Sequence, residues 1–194
     1  MRSSVSVAII ALNEEKKIRA CLESVRWANE IVLCDSGSED RTLEIAREQG
    51  ARTYQDAWRG FSGHKNLALT RCTHPWALVL DADERVTPAL REEIERILGD
   101  PEALDGYLIP RRNYFLGQWI SRCGWYPDES IRLFRRDRGR FAERAVHEAV
   151  VVDGRVGRLT APLEHFTYDS ISAFLQRMDR YSALAAAELH RAGR

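Results

Sequence analysis

Val5 to Leu12 reads Val-Ser-Val-Ala-Ile-Ile-Ala-Leu, apolar at nearly every position, which predicts a strand covered on both faces. From Glu14 to Trp27 the pattern changes period: Ile18, Cys21, Leu22 and Val25 recur three and four residues apart, as on one face of a helix. Glu30 to Cys34 is the next apolar run and predicts a second strand. Arg41 to Gln49 predicts a second helix, with Gly50 where a C-terminal cap glycine belongs. Ala51 to Tyr54 predicts a short strand, Gly63 to Thr70 a helix, and Trp76 to Leu80 a further buried strand. Pro88 opens a helix to Leu98, and Gly99-Asp100-Pro101 stops it. Strand alternating with helix predicts an open, mostly parallel α/β sheet flanked by helices.

After Asp105 the helical period disappears. Gly106–Asn113, Ser130–Phe134, Val146–Val152 and Arg155–Leu159 predict strands, and Asp153-Gly154 predicts a hairpin turn between the last two. Ile171 to His190 returns to a helical pattern, with Ile171, Phe174, Leu175, Met178, Tyr181 and Leu184 along one side. The expectation is one domain in parts: residues 1–100, a smaller β region over 101–170, and a C-terminal helix over 171–194.

Composition narrows the class. The 194 residues suffice for one core. Basic and acidic residues balance at 29 each, which argues against nucleic acid as a partner. No apolar run approaches the roughly 20 residues needed to cross a bilayer. The first apolar run is too short for a signal sequence, since Asn13-Glu14-Glu15-Lys16-Lys17 falls where a cleavage site is needed. Cys21, Cys34, Cys72 and Cys123 are widely spaced, which predicts reduced thiols and a cytoplasmic protein.

The candidate chemistry sits where the buried strands end. The first ends in Asn13-Glu14, the second in Asp35-Ser36-Gly37-Ser38, the fourth in Asp81-Ala82-Asp83-Glu84. In open parallel sheets ligands bind beyond the carboxyl ends of the strands, so these clusters should converge. Asp81 and Asp83, two apart in an extended segment, would face one way and call for a cation; hard oxygen ligands favour Mg²⁺ or Mn²⁺. A solvated acidic turn is the alternative. Asp35 and Asn13 could accept hydrogen bonds from a ligand or cap the following turn. Lys65 could meet a diphosphate. P-loop, dinucleotide-fingerprint and nucleophile-elbow motifs are absent from the sequence.

At these residues the chain resembles the family-2 glycosyltransferases. The matching pieces are Ala8 to Glu14, Ile31 to Asp40, Lys65-Asn66 and Asp81-x-Asp83. Gly124 to Asp128, Arg132 to Arg136 and Val146-His147-Glu148 resemble the branch that builds lipopolysaccharide core or related glycans. The resemblance implies a GT-A fold, with Rossmann-type sheet, acceptor-side β region and C-terminal helix. It implies inverting transfer of a hexose from a nucleotide-diphosphate sugar, most often uridine-linked, to a hydroxyl of a glycan or glycolipid acceptor. Ala11, Asn13, Glu14 and Asp35 would line the nucleotide pocket, with Asp81 near the ribose or metal and Asp83 binding the metal. Lys65 would help stabilise the departing diphosphate. Glu148, then Asp128, then Glu129 are the candidate bases, and His165 is a candidate third metal ligand. Peripheral contact with the cytoplasmic face of the inner membrane would run through the last helix or the basic turn 135–140. A nucleotidyltransferase would need a glycine-rich loop where Asn13-Glu14-Glu15-Lys16 stands. A catalytically inert sugar-nucleotide-binding or scaffold domain is the alternative from another class.

Overall fold

The computed structural model describes residues 3–142, 149–168 and 170–191. Its first half follows the predicted alternation. β1 (Val5–Ala11), β2 (Glu30–Asp35), β3 (Arg52–Gln55) and β4 (Trp76–Asp81) are interleaved with α1 (Ile18–Ser24), α2 (Thr42–Glu48) and α3 (Gly60–Arg71). Every residue of β1 is buried, as its unbroken apolar run requires. α1 is shorter than its periodicity suggests, because residues 15–17 form a turn. β5 (Glu84–Val86) follows, then α4 (Pro88–Gly99), whose start is set by Pro88 and by Thr87, its hydroxyl accepting from Leu90 N at 3.2 Å.

The second half comprises β6 (Gly106–Phe115), β7 (Gln118–Trp119), β8 (Asp128–Arg135), β9 (Gly139–Phe141), β10 (Val150–Val152), β11 (Val156–Arg158), β12 (Leu163–Tyr168) and α5 (Ile171–Arg191). The large sheet runs β3-β2-β1-β4-β8-β6-β12-β5, with β7 and β11 also on β6, while β9 and β10 form a separate pair. β3, β2, β1 and β4 are parallel. β8 is antiparallel to β4 and to β6, and β12 is parallel to β6. The carboxyl ends of β1, β2, β4, β6 and β12 therefore share one edge of the sheet with the first residue of β8.

The expected hairpin at Asp153-Gly154 is corrected. β10 pairs with β9 and β11 with β6, so the turn passes the chain from one sheet to the other. Asp105 anchors this crossover: its carboxylate accepts from Arg155 N at 2.9 Å, and Gly154 adopts φ 142°, beside Asp105, where a side chain would clash.

Apolar groups pack on both faces of the sheet. One face gathers Ile9, Ile18, Leu22, Leu33, Leu78, Leu90 and Ile94 under α1, α2 and α4. The other gathers Ala8, Val32, Val79, Ala68, Leu69, Phe134 and Phe141 under α3 and the small sheet. Among the described residues no helix is long and apolar enough to cross a membrane.

Candidate active site

The shared edge opens into a cleft of about 1130 Å³. Ala11, Glu14, Lys65, Asp81, Asp83 and Asp128, candidates widely separated in the chain, all line it. Glu148 and His147 lie outside the described residues.

Asn13 and Asp35 do not line the cleft. The Asp35 carboxylate is buried and accepts from Gly37 N at 2.9 Å, Ser38 N at 2.8 Å and the Ser38 hydroxyl. Gly37, at φ 108°, supplies the backbone shape this turn needs. Asn13, at φ 55°, donates its N–H to Ser38 Oγ at 2.8 Å and accepts from Glu39 N at 2.9 Å. Both residues lace the loop after β1 to the loop after β2, and these loops bring Ala11, Glu14 and Ser36 to the cleft.

Asp81 does not stand beside Asp83 as an extended pair. Ala82 and Asp83 form a turn between β4 and β5, correcting that expectation. The two Asp81 oxygens meet different cations: Lys65 Nζ lies 2.8 Å from Oδ1, and Arg132 Nη2 lies 3.0 Å from Oδ2. Burial raises the Asp81 carboxyl, but Lys65 and Arg132 together hold it well below the ordinary carboxylate range. Lys65 is buried on α3, and its neighbour Asn66 explains why the helix is fixed there. The Asn66 amide donates to Phe141 O and accepts from Phe141 N, each at 2.9 Å, tying α3 to β9.

Asp83 meets the far side of the cleft. Its Oδ1 lies 3.5 Å from His165 Nε2, and contact with His165 lowers its carboxyl against the opposing effect of burial. β12 delivers His165 by pairing it with Asn113 on one side and Glu84 on the other. His165 Nδ1 is 2.7 Å from Asn113 Oδ1, while the Asn113 amide donates to Trp125 O at 3.0 Å and Asp128 Oδ2 at 3.1 Å. That network assigns the Nδ1 proton to the bond with Asn113. The Nε2 lone pair of a neutral ring then faces a carboxylate, an arrangement that a proton or a cation must relieve.

A carboxylate oxygen and an imidazole nitrogen at this separation suit a divalent cation, with the second ring nitrogen hydrogen-bonded as metal-binding histidines require. Among the described residues no group of three or more His, Cys, Asp or Glu side chains surrounds a common point. Two protein donors would leave positions for phosphate oxygens and water, the usual manner of Mg²⁺.

Asp128, the first residue of β8, receives Arg111 Nη2 at 2.6 Å, opposite it in the β6–β8 register. Arg111 and Arg132 line the cleft and Asn113 and Glu84 bond to its polar groups, yet Arg111 and Asn113 escaped the sequence reading. The available signal was three polar residues, Arg111-Arg112-Asn113, inside a long strand. Glu129, the third candidate base, also lines the cleft and pairs with Arg158 at 3.0 Å. Trp58 and Phe61, in edge contact at 4.8 Å, form an aromatic wall beside Ala11 and Ser36. Tyr168 of β12 and Phe174 and Met178 of α5 form a second, apolar wall.

A model of "Glycosyl transferase family 2" matches residues 6–159. A lipopolysaccharide core biosynthesis glycosyltransferase, LpsC of Rhizobium meliloti, is 35% identical over 94% of this chain and 70% of its own length. An uncharacterised glycosyltransferase of Rickettsia typhi is 29% identical over 98% of this chain and 69% of its own. Among solved structures, S. aureus TarS 1-349 in complex with UDP-GlcNAc superposes with a TM-score of 0.63 at 16% identity, over 88% of this chain and 60% of that one. Glucosyl-3-phosphoglycerate synthase from Mycobacterium tuberculosis, with Mn²⁺ and UDP, gives 0.53 at 20% identity, over 70% of this chain and 57% of that one. The chain thus spans about 70% of these sequence relatives and about 60% of these solved neighbours. The solved neighbours share its GT-A architecture, the family model covers most of its residues and LpsC aligns along nearly all of it, so the chain belongs to glycosyl transferase family 2.

Proposed function

We propose that this chain transfers a hexosyl group, with inversion, from a nucleotide-diphosphate sugar to a hydroxyl of a lipopolysaccharide-core or similar glycan or glycolipid acceptor. The observation that carries the reading is one cleft that gathers Lys65 from α3, Asp81 and Asp83 from the end of β4 and the turn after it, His165 from β12 and Asp128 from the start of β8. The complex of TarS with UDP-GlcNAc supports a uridine-linked donor, and the similarity to LpsC supports the acceptor class.

In this reading Ala11 and Glu14 line the nucleotide pocket, while Asn13 and Asp35 shape its loops. Asp83 and His165 would hold Mg²⁺ or Mn²⁺, with Asp81 at the ribose or completing the set. When bound, the cation offsets charge on the departing diphosphate. Lys65, already within the cleft wall, adds a second positive group. Inversion needs a base on the opposite side of the sugar. Asp128 fits that role: among the described residues its side-chain hydrogen bonds both fall on Oδ2, and Oδ1 would take the acceptor proton. Glu148 is the other candidate.

Exposed Ile171, Leu175 and Met178 on α5 support peripheral contact with a membrane face, and four unbridged cysteines support a cytoplasmic setting. The test is calorimetric titration with UDP, GDP, CDP and ADP, each with Mn²⁺ and again with EDTA. Binding of one nucleotide only with Mn²⁺ present supports the reading. Binding of none of them overturns it.

A further inference from the structure

Glu84 is fully buried, and its carboxylate is the meeting point of groups from three strands. Oε2 accepts the backbone N–H of Asp81 at 2.9 Å. Oε1 receives Arg132 Nη2 at 2.6 Å and Arg111 Nη1 at 3.4 Å. Each arginine then reaches on to a cleft carboxylate: the same Arg132 nitrogen to Asp81 Oδ2 at 3.0 Å, and Arg111 Nη2 to Asp128 Oδ2 at 2.6 Å.

Burying a carboxylate with two guanidinium groups is costly, and apolar side chains of similar volume would pack at least as well. What the arrangement provides is geometry. Asp81 comes from the end of β4 and Asp128 from the start of β8, and these two strands pair directly at Trp76–Leu78 with Leu133–Arg135, at the ends away from the cleft. Near the cleft the two carboxylates are linked through Glu84 by way of Arg132 and Arg111.

We infer that Glu84 is a positioning residue that sets Asp81 and Asp128 relative to each other through the arginines Arg132 and Arg111. As a role in catalysis this rests on the transfer activity proposed above. With Asp81 on the donor side and Asp128 facing the acceptor, the separation of these groups decides whether the acceptor hydroxyl and the sugar carbon meet in line. A displacement near 1 Å at such a site costs about a hundredfold in rate.

The experiment compares wild type, Glu84→Gln and Glu84→Asp by two readouts: steady-state transfer, and NMR of the arginine guanidinium groups. Glu84→Gln is expected to lower kcat about a hundredfold with donor KM essentially unchanged. The guanidinium signals of Arg111 and Arg132 should show faster rotation than in wild type, with Asp128 and Asp81 as their remaining partners. Glu84→Asp, which keeps the charge one methylene shorter, should recover part of kcat and part of the restraint, and it serves alone should Glu84→Gln not fold. Wild-type kcat in either variant, a loss confined to KM, or guanidinium signals as restrained as in wild type would each overturn the inference. A wild-type chain that transfers from no nucleotide sugar would instead sink the activity reading, and the guanidinium signals would still decide whether Glu84 holds the two arginines.

Discussion

At the scale of single residues, polar groups that shape the loops are distinct from those that face the cleft. Asp35 and Asn13 spend their polar atoms on the loops after β1 and β2, whereas Asp83 and His165 face each other across a gap suited to a cation. Replacing Asp83 with Ala should abolish Mn²⁺-dependent nucleotide binding while leaving the fold intact, read by calorimetry alongside circular dichroism. Unchanged affinity in Mn²⁺ would remove Asp83 from the metal site. Asn113→Ala should be milder, weakening metal affinity about 10–100-fold, because it frees the His165 ring without deleting a ligand. The two candidate bases separate by the same logic. Removal of the true base should lower kcat by about 10²–10⁴-fold with donor binding retained. Asp128→Asn and Glu148→Gln, assayed side by side, assign it, and a variant at wild-type turnover is excluded.

At the scale of elements, what could be read in advance followed from how much apolar sequence each element carries. β1, β2 and β4 are nearly continuous apolar runs, and α4 has Leu90, Ile94 and Leu98 on one side, so each announced itself. β5 is Glu-Arg-Val and β9 is Gly-Arg-Phe, three residues each with no period to detect, and both exist through tertiary pairing. The site divides the same way. Its strand-end carboxylates were legible because a buried strand has no need of them. The ion pairs Lys65–Asp81 and Arg111–Asp128 join residues 16 and 17 apart, the first by packing α3 on the sheet and the second through sheet register, which no local pattern encodes. Gly139 tests the packing of one such hidden strand. A β-carbon there would fall inside the Phe134 ring, itself fully buried. Gly139→Ala should therefore cost about 1–3 kcal/mol in urea denaturation, the range for overpacked cores. A neutral substitution would show that β9 can move away from β8.

At the scale of the whole molecule, charge pairing sets the acid limit of stability. The Arg71 guanidinium, bidentate at 2.5 and 2.8 Å, holds the Asp56 carboxyl below its ordinary value. Asp81 is held lower still, its two cations outweighing burial. Folded carboxyls with depressed values take up protons later than unfolded ones, so their stabilisation is complete above the unfolded value near pH 4 and lost as pH falls below it. The midpoint of thermal unfolding should hold steady from neutrality to about pH 5 and then drop. Asp56→Asn should blunt that drop, and a midpoint that rises on acidification would contradict the assignment.

The placement of β12 has a consequence for biosynthesis. Of the described strands this one comes last in the chain, yet it lies between β6 and β5 and carries His165. As the chain leaves the ribosome, the four parallel strands can assemble while β5 lacks its pairing partner and β6 awaits one along Arg111–Phe115. Until residues 163–168 emerge, that gap offers hydrogen-bonding groups to any other extended chain nearby. A message truncated ahead of Leu163 should therefore yield a sticky product, and completion of one late strand both seals the sheet and delivers His165 to the cleft.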